Sequence, residues 1–313
     1  MEFPYELRCE IERLLESENL KQLTAAAEGI SSRYRSESGT GKSLVSGRRD
    51  VLAYAAVRMP ATFGAVSKAL EAALAHFDGE INSILDIGAG TGAASFAANL
   101  LTECENITCV ERERTMSEIG ERLAAAMNLP IKWENRDITQ GLHGSADLVL
   151  SSYCMNELSA AARTEAVKRL WASAEKLLLI VDTGTPVGYS QLKEARDILI
   201  KEGAHIIAPC PHEGACPLDE GDWCHFTARI ARSKLHKQLK GGDAPYEDEK
   251  FCFIAASRED YGRCEARILR HPRIDSGRIT LKLCTAGGIC ERMVTKKDPR
   301  FKAARKSDCG DEF

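Results

Sequence analysis

The chain has 313 residues, of which 44% are hydrophobic and 28% charged, so it can fill one large core with appendages. Its longest apolar run, residues 177–181, is far too short to span a bilayer, and its acidic residues 1–30 resemble neither a secretory signal nor an arginine-rich transit peptide. We therefore expect a cytoplasmic protein with no membrane partner, in which the twelve cysteines are reduced thiols or metal ligands rather than disulfides.

The net charge of -4 hides a strong asymmetry along the chain. Residues 1–224 carry 22 Lys and Arg against 33 Asp and Glu, whereas residues 225–306 carry 20 against 10, and residues 307–313 add three acids. A basic final third attached to an acidic domain predicts a polyanionic partner, because neutralising phosphates releases counterions and steers association. An ordinary solvated surface of mixed sign is the alternative.

Two amphipathic helices are predicted at the start, over residues 5–30 and 50–78, joined by a polar loop rich in Gly and Ser. Within that loop, GTGKS at residues 39–43 looks like part of a phosphate-binding P-loop. The motif requires glycine where this chain has Ser36, and it requires a preceding strand where this chain has a loop. We therefore do not predict a nucleoside triphosphate site there.

From residue 83 onward, short apolar runs alternate with helical segments, which predicts a parallel sheet with helices on both faces. The predicted strands are SILDIGA, NITCVER, PIKWEN, ADLVLSS and KLLLIVD, followed by sixth and seventh strands from residues 205 and 251. The predicted helices cover Ala93–Leu101, Met116–Met127 and Ala160–Ala174. Alternating apolar and polar residues around Gly287 and Gly288 predict a C-terminal β-hairpin.

A glycine-rich loop follows the first strand and opens a helix. Its pattern D-x-G-x-G-x-G is formed by Asp86, Gly88, Gly90 and Gly92. Glycines let the backbone turn tightly and approach a ligand, and the N–H groups at a helix start are free donors. Glu111 ends the second strand, where a carboxylate can accept hydrogen bonds from ribose hydroxyls. A glycine turn that merely closes a strand–helix corner is the alternative.

The acid at the start of this loop makes the segment resemble S-adenosylmethionine-dependent methyltransferases of the seven-stranded Rossmann-like class I. The resemblance implies that Asp86 to Gly92 contact the methionine part of the cofactor, that Glu111 binds the ribose and that Asp137 lies near the adenine. Asn156 and Glu157, after the fourth strand, are the polar candidates for the catalytic cleft. Methyl transfer needs mainly alignment of a nucleophile with the methyl group, so a general base is not required of the sequence.

Three cysteines, Cys210, Cys216 and Cys224, lie in one short polar stretch stiffened by prolines. Structural zinc sites and iron–sulfur clusters usually need four ligands. The spacing does not choose between the two groups, and three free or buried thiols are the alternative to both. The candidates for a fourth ligand are His212, His225, Cys252, Cys264, Cys284 and Cys290.

Several segments together resemble the methyltransferase-like family of the mitochondrial small ribosomal subunit, as a bacterial member. They are RMPATFGAV at 58–66, the glycine loop, APCPHEGACP at 208–217, DWCHF at 222–226, RSKLHKQLKGG at 232–242, YEDEKF at 246–251 and RHPRI with LKLC at 270–284. The resemblance implies a [4Fe-4S] cluster held by Cys210, Cys216, Cys224 and Cys284, with zinc as the alternative. It also implies a partner, the RNA of the small ribosomal subunit.

A basic amphipathic helix is predicted over residues 226–239, and it ends at Gly241-Gly242. Its cations are the predicted RNA-binding residues Arg229, Arg232, Lys234, Lys237 and Lys240, which would position the protein on phosphates without reading a base sequence. Further cations, from Arg267 and Arg270 to Arg300, are expected to extend this basic surface. A solvated helix face is the alternative, and no DNA partner is expected.

The fold class predicted from these observations is α/β. We expect N-terminal helices (residues 1–80), a seven-stranded Rossmann-like S-adenosylmethionine-binding domain (81–209), a Cys-rich metal-binding insertion with the basic helix and the last sheet strand (210–258), and a small basic β extension (259–313). The functional hypothesis is a methyltransferase-like factor for small-subunit assembly or translation, monomeric off the ribosome. The alternatives are an active RNA or protein methyltransferase with a structural zinc, and an RNA-binding module on a degenerate fold.

Overall fold

The computed structural model describes residues 2–36, 45, 47–138, 141 and 144–313. The GTGKS segment at residues 39–43 lies outside these residues. In the part of the chain that is described, no helix combines the length and the apolar composition needed to cross a membrane.

Four helices precede the sheet where two were predicted. Each predicted helix is broken once, by a residue that favours the start of a new helix. In the first, Asn19 accepts a hydrogen bond of 3.0 Å from the N–H of Lys21. In the second, Pro60 lies in the first turn of the new helix, where its missing N–H costs no hydrogen bond. The helices are α1 (Tyr5–Leu15), α2 (Leu20–Ser36), α3 (Arg48–Val57) and α4 (Met59–Leu74).

The main sheet confirms the predicted seven-strand Rossmann-like architecture. Its seven strands are β1 (Ile84–Ile87), β2 (Ile107–Glu111), β3 (Lys132–Asn135), β4 (Ala146–Ser152), β5 (Ala174–Thr183), β6 (His205–Ala208) and β8 (Tyr246–Ser257), and an additional strand, β7 (Phe226–Ala231), pairs with β8 outside this set. The order of the seven is β3-β2-β1-β4-β5-β8-β6, with β8 antiparallel to both of its neighbours and the other neighbours parallel. The parallel strands end at one edge, where α/β proteins bind ligands.

Helices cover both faces of this sheet. Side chains alternate across it: Leu177 and Leu179 pack with the N-terminal helices, whereas Leu178 and Ile180 pack on the opposite face. The connecting helices are α5 (Ala93–Thr102), α6 (Arg114–Ala126), α7 (Ala160–Ser173) and α8 (Pro186–Lys201), of which α5 and α6 lie on the side of the N-terminal helices and α7 and α8 on the other.

The predicted helix over residues 226–239 is wrong in its first half. Phe226, Ala228 and Ile230 are buried and alternate with more exposed residues, so this segment is the strand β7, which pairs with β8 from Phe226↔Phe251 to Ala231↔Tyr246. The helix is the shorter α9 (Lys234–Lys240), capped by the Ser233 hydroxyl, which accepts from the N–H of His236 over 3.1 Å.

The C-terminal region forms a second, four-stranded sheet, and its predicted hairpin is confirmed. Thr285 pairs with Gly288 across a two-residue turn. Ile279, Leu281 and Val294 form its small core. Its elements are β9 (Ala266–Ile268), β10 (Arg273–Asp275), β11 (Arg278–Thr285), β12 (Gly288–Thr295) and α10 (Phe301–Ala304). The domain boundaries at residues 80, 209 and 258 stay a prediction.

Candidate cofactor cleft and cysteine cavity

The glycine loop connects β1 to α5 in a conformation that needs glycine. The N–H groups of Gly88 and Ala89 donate to the carbonyl oxygen of Val110 over 2.9 and 3.2 Å, which ties the loop to β2. Gly88, Gly90 and Gly92 have φ angles of +72°, +58° and +88°, in the left-handed region. A Cβ on Gly88 would also lie 2.9 Å from the sulfur of Cys154. The loop is therefore held close to its neighbours and leaves little space for side chains.

Asp86 lies under this loop rather than on its surface. Its Oδ2 accepts hydrogen bonds from the backbone N–H of Ser95 (3.2 Å) and from the Ser95 hydroxyl (2.8 Å), which fixes the start of α5 against β1. Complete burial raises the pKa of this carboxyl to about 7, although the bonds from Ser95 oppose the shift. The structure therefore gives Asp86 a supporting position behind the loop.

Glu111 faces the loop from the end of β2. Its Oε2 accepts from the N–H of Gly90 over 2.8 Å, and its Oε1 accepts from the N–H of Glu113 over 2.8 Å. Burial raises its pKa, and these two backbone donors oppose that effect. The carboxylate is thus oriented by the backbone on both sides.

A cleft of about 770 Å³, including the part open to solvent, lies above the loop. Of the predicted site residues, Gly88, Gly90, Glu111 and Glu157 line it, and Arg136 and Ile138 line it on either side of Asp137. Asp86, Gly92, Asp137 and Asn156 are not among its lining residues. Several further residues of the wall were not predicted from the sequence: Tyr54, Arg112, Met116, Tyr153 and Cys154.

Glu157 and Asn156 differ in their surroundings. A guanidinium nitrogen of Arg112 lies 3.3 Å from Glu157 Oε2, and burial raises the pKa of Glu157 to about 7 against the effect of this cation. Asn156 is buried, and its side-chain oxygen has no hydrogen-bond partner among the described residues. Its backbone N–H is bonded to Asp182, whose pKa is raised by burial to about 6.

Tyr153 connects the cleft to a buried ion pair. It directly follows β4 and has a left-handed φ of +56°, which is uncommon for a residue other than glycine. Its hydroxyl donates to Glu249 Oε1 over 3.0 Å, and Arg58 donates to both oxygens of the same carboxylate over 3.0 and 3.1 Å. No local sequence signal could have found this group, since Arg58 and Glu249 are 191 residues apart.

The four cysteines predicted as ligands line one cavity of about 600 Å³, including the part open to solvent. Cys210 follows β6 at the same sheet edge as the cleft, and Cys284 comes from β11 of the C-terminal sheet. Cys252 lines the same cavity, but its thiol donates to the Cys224 carbonyl oxygen over 2.9 Å. Among the other candidates, His212 lines the cavity with its Nε2 3.7 Å from the Cys284 sulfur, whereas Cys290 is exposed and His225 and Cys264 are not lining residues. Cys264 is nevertheless near enough to contribute, after burial, Cys210 and Cys216, to the raised pKa of Cys284.

Burial and mutual repulsion raise the pKa values of these thiols. The pKa of Cys224 is raised well above its ordinary value, first by burial and then by the other three cysteines and Cys252. Burial, followed by Cys210 and Cys216, raises the pKa of Cys284 to about 12. The four sulfur atoms are therefore close enough to interact electrostatically. Nevertheless, among the described residues no group of three His, Cys, Asp or Glu side chains is arranged to hold a metal ion.

A protein-family model described as Mitochondrial small ribosomal subunit Rsm22 matches residues 48–313. The chain belongs to the Rsm22 family. It is similar to the ribosome assembly protein METTL17, mitochondrial, of Homo sapiens, with 27% identity over 289 residues, which cover 83% of this chain and 61% of the relative. It is also similar to the Rsm22-cox11 tandem protein 2, mitochondrial, of Schizosaccharomyces pombe, with 26% identity over 84% of this chain and 43% of the relative.

This Rsm22 member thus spans less than two thirds of the length of these curated relatives. Among solved structures it is similar to magnesium protoporphyrin IX methyltransferase of Synechocystis, with 13% identity and a TM-score of 0.44 over 70% of this chain and 90% of that one. It is also similar to the ribosomal protein L11 methylase of Lactobacillus delbrueckii, with 14% identity and a TM-score of 0.39 over 61% of this chain and 77% of that one. These likenesses concern the fold alone.

Three of the five predicted RNA-binding cations of this Rsm22 member are paired with acids. Arg229 donates to both oxygens of Asp248 over 2.8 and 2.9 Å, and Arg232 and Lys240 both contact Glu247. Although burial opposes it, hydrogen bonds from His236 and Lys240 hold the pKa of Glu247 well below its usual range. The other two, Lys234 (exposed) and Lys237 (half-buried), have no ion pair among the described residues.

The expected contribution of Arg267 and Arg270 to a basic surface is wrong. Arg267 is only 3% exposed, and its Nε donates to the Pro209 carbonyl oxygen over 2.9 Å. Arg270 and Lys282 both pair with Asp222 and so join the C-terminal sheet to the cysteine loop. Four other cations predicted for this surface are exposed and have no ion pair among the described residues: Arg273, Arg292, Lys296 and Lys297. The same holds for Lys302, Arg305 and Lys306, which lie beyond the predicted set in the described C-terminal region.

Proposed function

We propose that the protein is a methyltransferase-like factor that associates with the small ribosomal subunit during its assembly and binds S-adenosylmethionine. Membership of the Rsm22 family and similarity to a human ribosome assembly protein support the ribosomal role. The observation that carries the cofactor is the cleft between the glycine loop and Glu111. Cytoplasmic localisation, a bacterial origin and a monomeric state off the ribosome stay predictions.

The lining of the cleft suits a nucleoside with a cationic sulfonium. Glu111 is oriented to accept from ribose hydroxyls, and the loop backbone at the start of α5 can approach the methionine part closely. The carboxylates of Glu111 and Glu157 would also supply negative charge beside the sulfonium cation of the cofactor. When bound, the cofactor would supply an electrophilic methyl group.

Calorimetry with S-adenosylmethionine tests this proposal on the wild type and on Gly90→Arg. An arginine at Gly90 would fill the cleft, because only the Tyr54 hydroxyl lies within 4 Å of the added Cβ, and it would strain the positive φ of that position. The matched control is Gly203→Arg: Gly203 also has a positive φ, +81°, with no neighbour within 4 Å, and it precedes β6 at the opposite sheet edge. We expect binding by the wild type and the control only. A wild type that does not bind contradicts the proposal.

We further propose that Cys210, Cys216, Cys224 and Cys284 hold an iron–sulfur cluster, most simply [4Fe-4S]. The shared cavity and the mutual effect on the thiol pKa values support this ligand set. A zinc ion bound by the same four thiolates is the alternative. The cluster would join the cysteine loop to the C-terminal sheet.

Iron, sulfide and zinc analysis of anaerobically purified protein tests the cluster. We expect iron and sulfide in the wild type and their loss in Cys210→Ser and Cys284→Ser. Cys252→Ser is the matched control, because Cys252 lines the same cavity but donates its thiol to a backbone carbonyl. Colourless wild type with one zinc per chain would contradict the cluster and favour the zinc alternative.

Catalysis of methyl transfer is the second candidate function, and Glu157 favours it. This carboxyl lines the cleft, and burial brings its pKa to about 7, where a general base works best near neutral pH. Transfer of labelled methyl to small-subunit RNA by the wild type but not by Glu157→Gln would support catalysis. The same label should also be sought in protein, because the methyl acceptor can be either RNA or protein. Absence of transfer by protein that binds the cofactor would favour a non-catalytic assembly factor.

A further inference from the structure

One face of α8 forms a wall of the cysteine cavity. Tyr189, Leu192, Lys193 and Arg196 all line it, at the spacing i, i+3, i+4, i+7 that brings residues to one side of a helix. Apolar residues alone would suffice to close a core here. Instead the face carries the hydroxyl of Tyr189 and the buried guanidinium of Arg196, while the exposed Lys193 lies near Asp197.

Arg196 is the buried cation of this wall. It is 2% exposed, and one terminal nitrogen donates to the carbonyl oxygens of His212 (2.8 Å) and Gly214 (2.9 Å), between Cys210 and Cys216. Its Nε has no hydrogen-bond partner among the described residues. Its nearest carboxylate oxygen, on the half-exposed Asp197, is 3.5 Å from the other terminal nitrogen. A buried guanidinium nitrogen without an acceptor is costly, so the position calls for an anion on the cavity side.

Tyr189, two turns before Arg196 on the same helix, supplies a second polar contact with the cavity. Its hydroxyl oxygen lies 3.1 Å from the sulfur of Cys216. A thiolate at Cys216 would accept a hydrogen bond from this hydroxyl, and such bonds to charged acceptors are about twice as strong as those between neutral groups. Tyr189 and Arg196 therefore approach two different cysteines of the cavity from the same helix.

We propose that Arg196 and Tyr189 are the counter-charge and the hydrogen-bond donor of an anionic thiolate-bound cluster, and that together they raise its reduction potential. This inference rests on the proposed iron–sulfur cluster. One-electron reduction adds negative charge to the cavity, and a buried cation stabilises the more negative state more strongly. Hydrogen bonds to the sulfurs act in the same direction, and both are recognised determinants of cluster potentials.

Redox titration of purified protein with a one-electron reductant and mediators tests the roles of the two residues. Arg196→Gln keeps N–H groups for the loop carbonyls but removes the charge, and we expect a more negative midpoint potential. Arg196→Lys keeps the charge and should stay close to the wild type. Tyr189→Phe removes one hydrogen bond and should give a smaller negative shift. Lys201→Gln, which removes an exposed charge from the end of the same helix, should give none.

The outcomes distinguish a failure of this inference from a failure of the proposed iron–sulfur cluster. A wild type without iron overturns the cluster and the inference together. A wild type with a cluster, and unchanged potentials in Arg196→Gln and Tyr189→Phe, overturns the inference alone. If Arg196→Gln loses its iron because the loop no longer folds, the potentials of Arg196→Lys and Tyr189→Phe decide.

Discussion

The hydroxyl of Tyr153 donates to the carboxylate of Glu249 over 3.0 Å, across 96 residues of chain. Tyr153 lines the candidate cofactor cleft, and Glu249 lies on the part of β8 that pairs with β7 through Ala228. Arg58, between α3 and α4, completes the group by a two-fold contact with the same carboxylate. One buried ion pair thus connects the cleft, the N-terminal helices and the inserted strand.

Loss of either charge of this pair should destabilise the protein strongly. The side chains of Arg58 and Glu249 are 22% and 11% exposed, so removing one leaves the other largely buried without a partner. For Arg58→Met or Glu249→Gln we expect the free energy of unfolding, measured by urea denaturation, to fall by about 3 kcal/mol. Tyr153→Phe, which removes one hydrogen bond, should cost about 1 kcal/mol.

The double variant Arg58→Met/Glu249→Gln provides the control for this prediction. Because it removes both charges, its loss of stability should be smaller than the sum of the two single losses. Additive losses would show that the two charges do not depend on each other, contrary to the contact in the structure.

The stability of Asp86→Asn, measured as its free energy of unfolding, should increase relative to that of the wild type as the pH rises. The folded-state pKa of Asp86 is raised by burial from 3.8 to about 7. Between these values the folded protein holds a proton that the unfolded chain releases, so the stability contributed by Asp86 is present at low pH and is lost as the pH rises through about 7. Asparagine does not titrate and can still accept from Ser95.

The measurement is the difference in unfolding free energy between Asp86→Asn and the wild type, taken from about pH 4 to about pH 8. We expect this difference to move in favour of the variant across that range and to level off above the folded-state pKa. Each unit of pKa elevation corresponds to about 1.4 kcal/mol. Asp243→Asn, at an exposed site, controls for the loss of one carboxylate. A difference that stays constant with pH would contradict the raised pKa.

The parts of the site that the sequence predicted are those with local signals. The glycine loop and the end of β2 follow directly from strand periodicity and glycine spacing, because both lie on consecutive elements. Spacing could not select Cys284 from six candidates, and only the family resemblance did so. β7 was taken for a helix because Phe226 and Ile230, four residues apart, share a face in both a helix and a strand. The contacts of Arg58, Tyr153 and Glu249 depend on the tertiary fold, which no local pattern carries.

Binding of small-subunit RNA should depend more on Lys297 than on Arg229. Lys297 is exposed and has no ion pair among the described residues, whereas the charge of Arg229 is already matched by Asp248. Only an unmatched cation can release a counterion when it meets a phosphate. We therefore expect Lys297→Gln to weaken binding at low salt and to reduce the slope of log affinity against log salt by about 1. Arg229→Gln/Asp248→Asn, which leaves the net charge unchanged, should keep the wild-type slope. A loss of slope in this double variant with none in Lys297→Gln would instead assign the RNA contact to the β7 and α9 face.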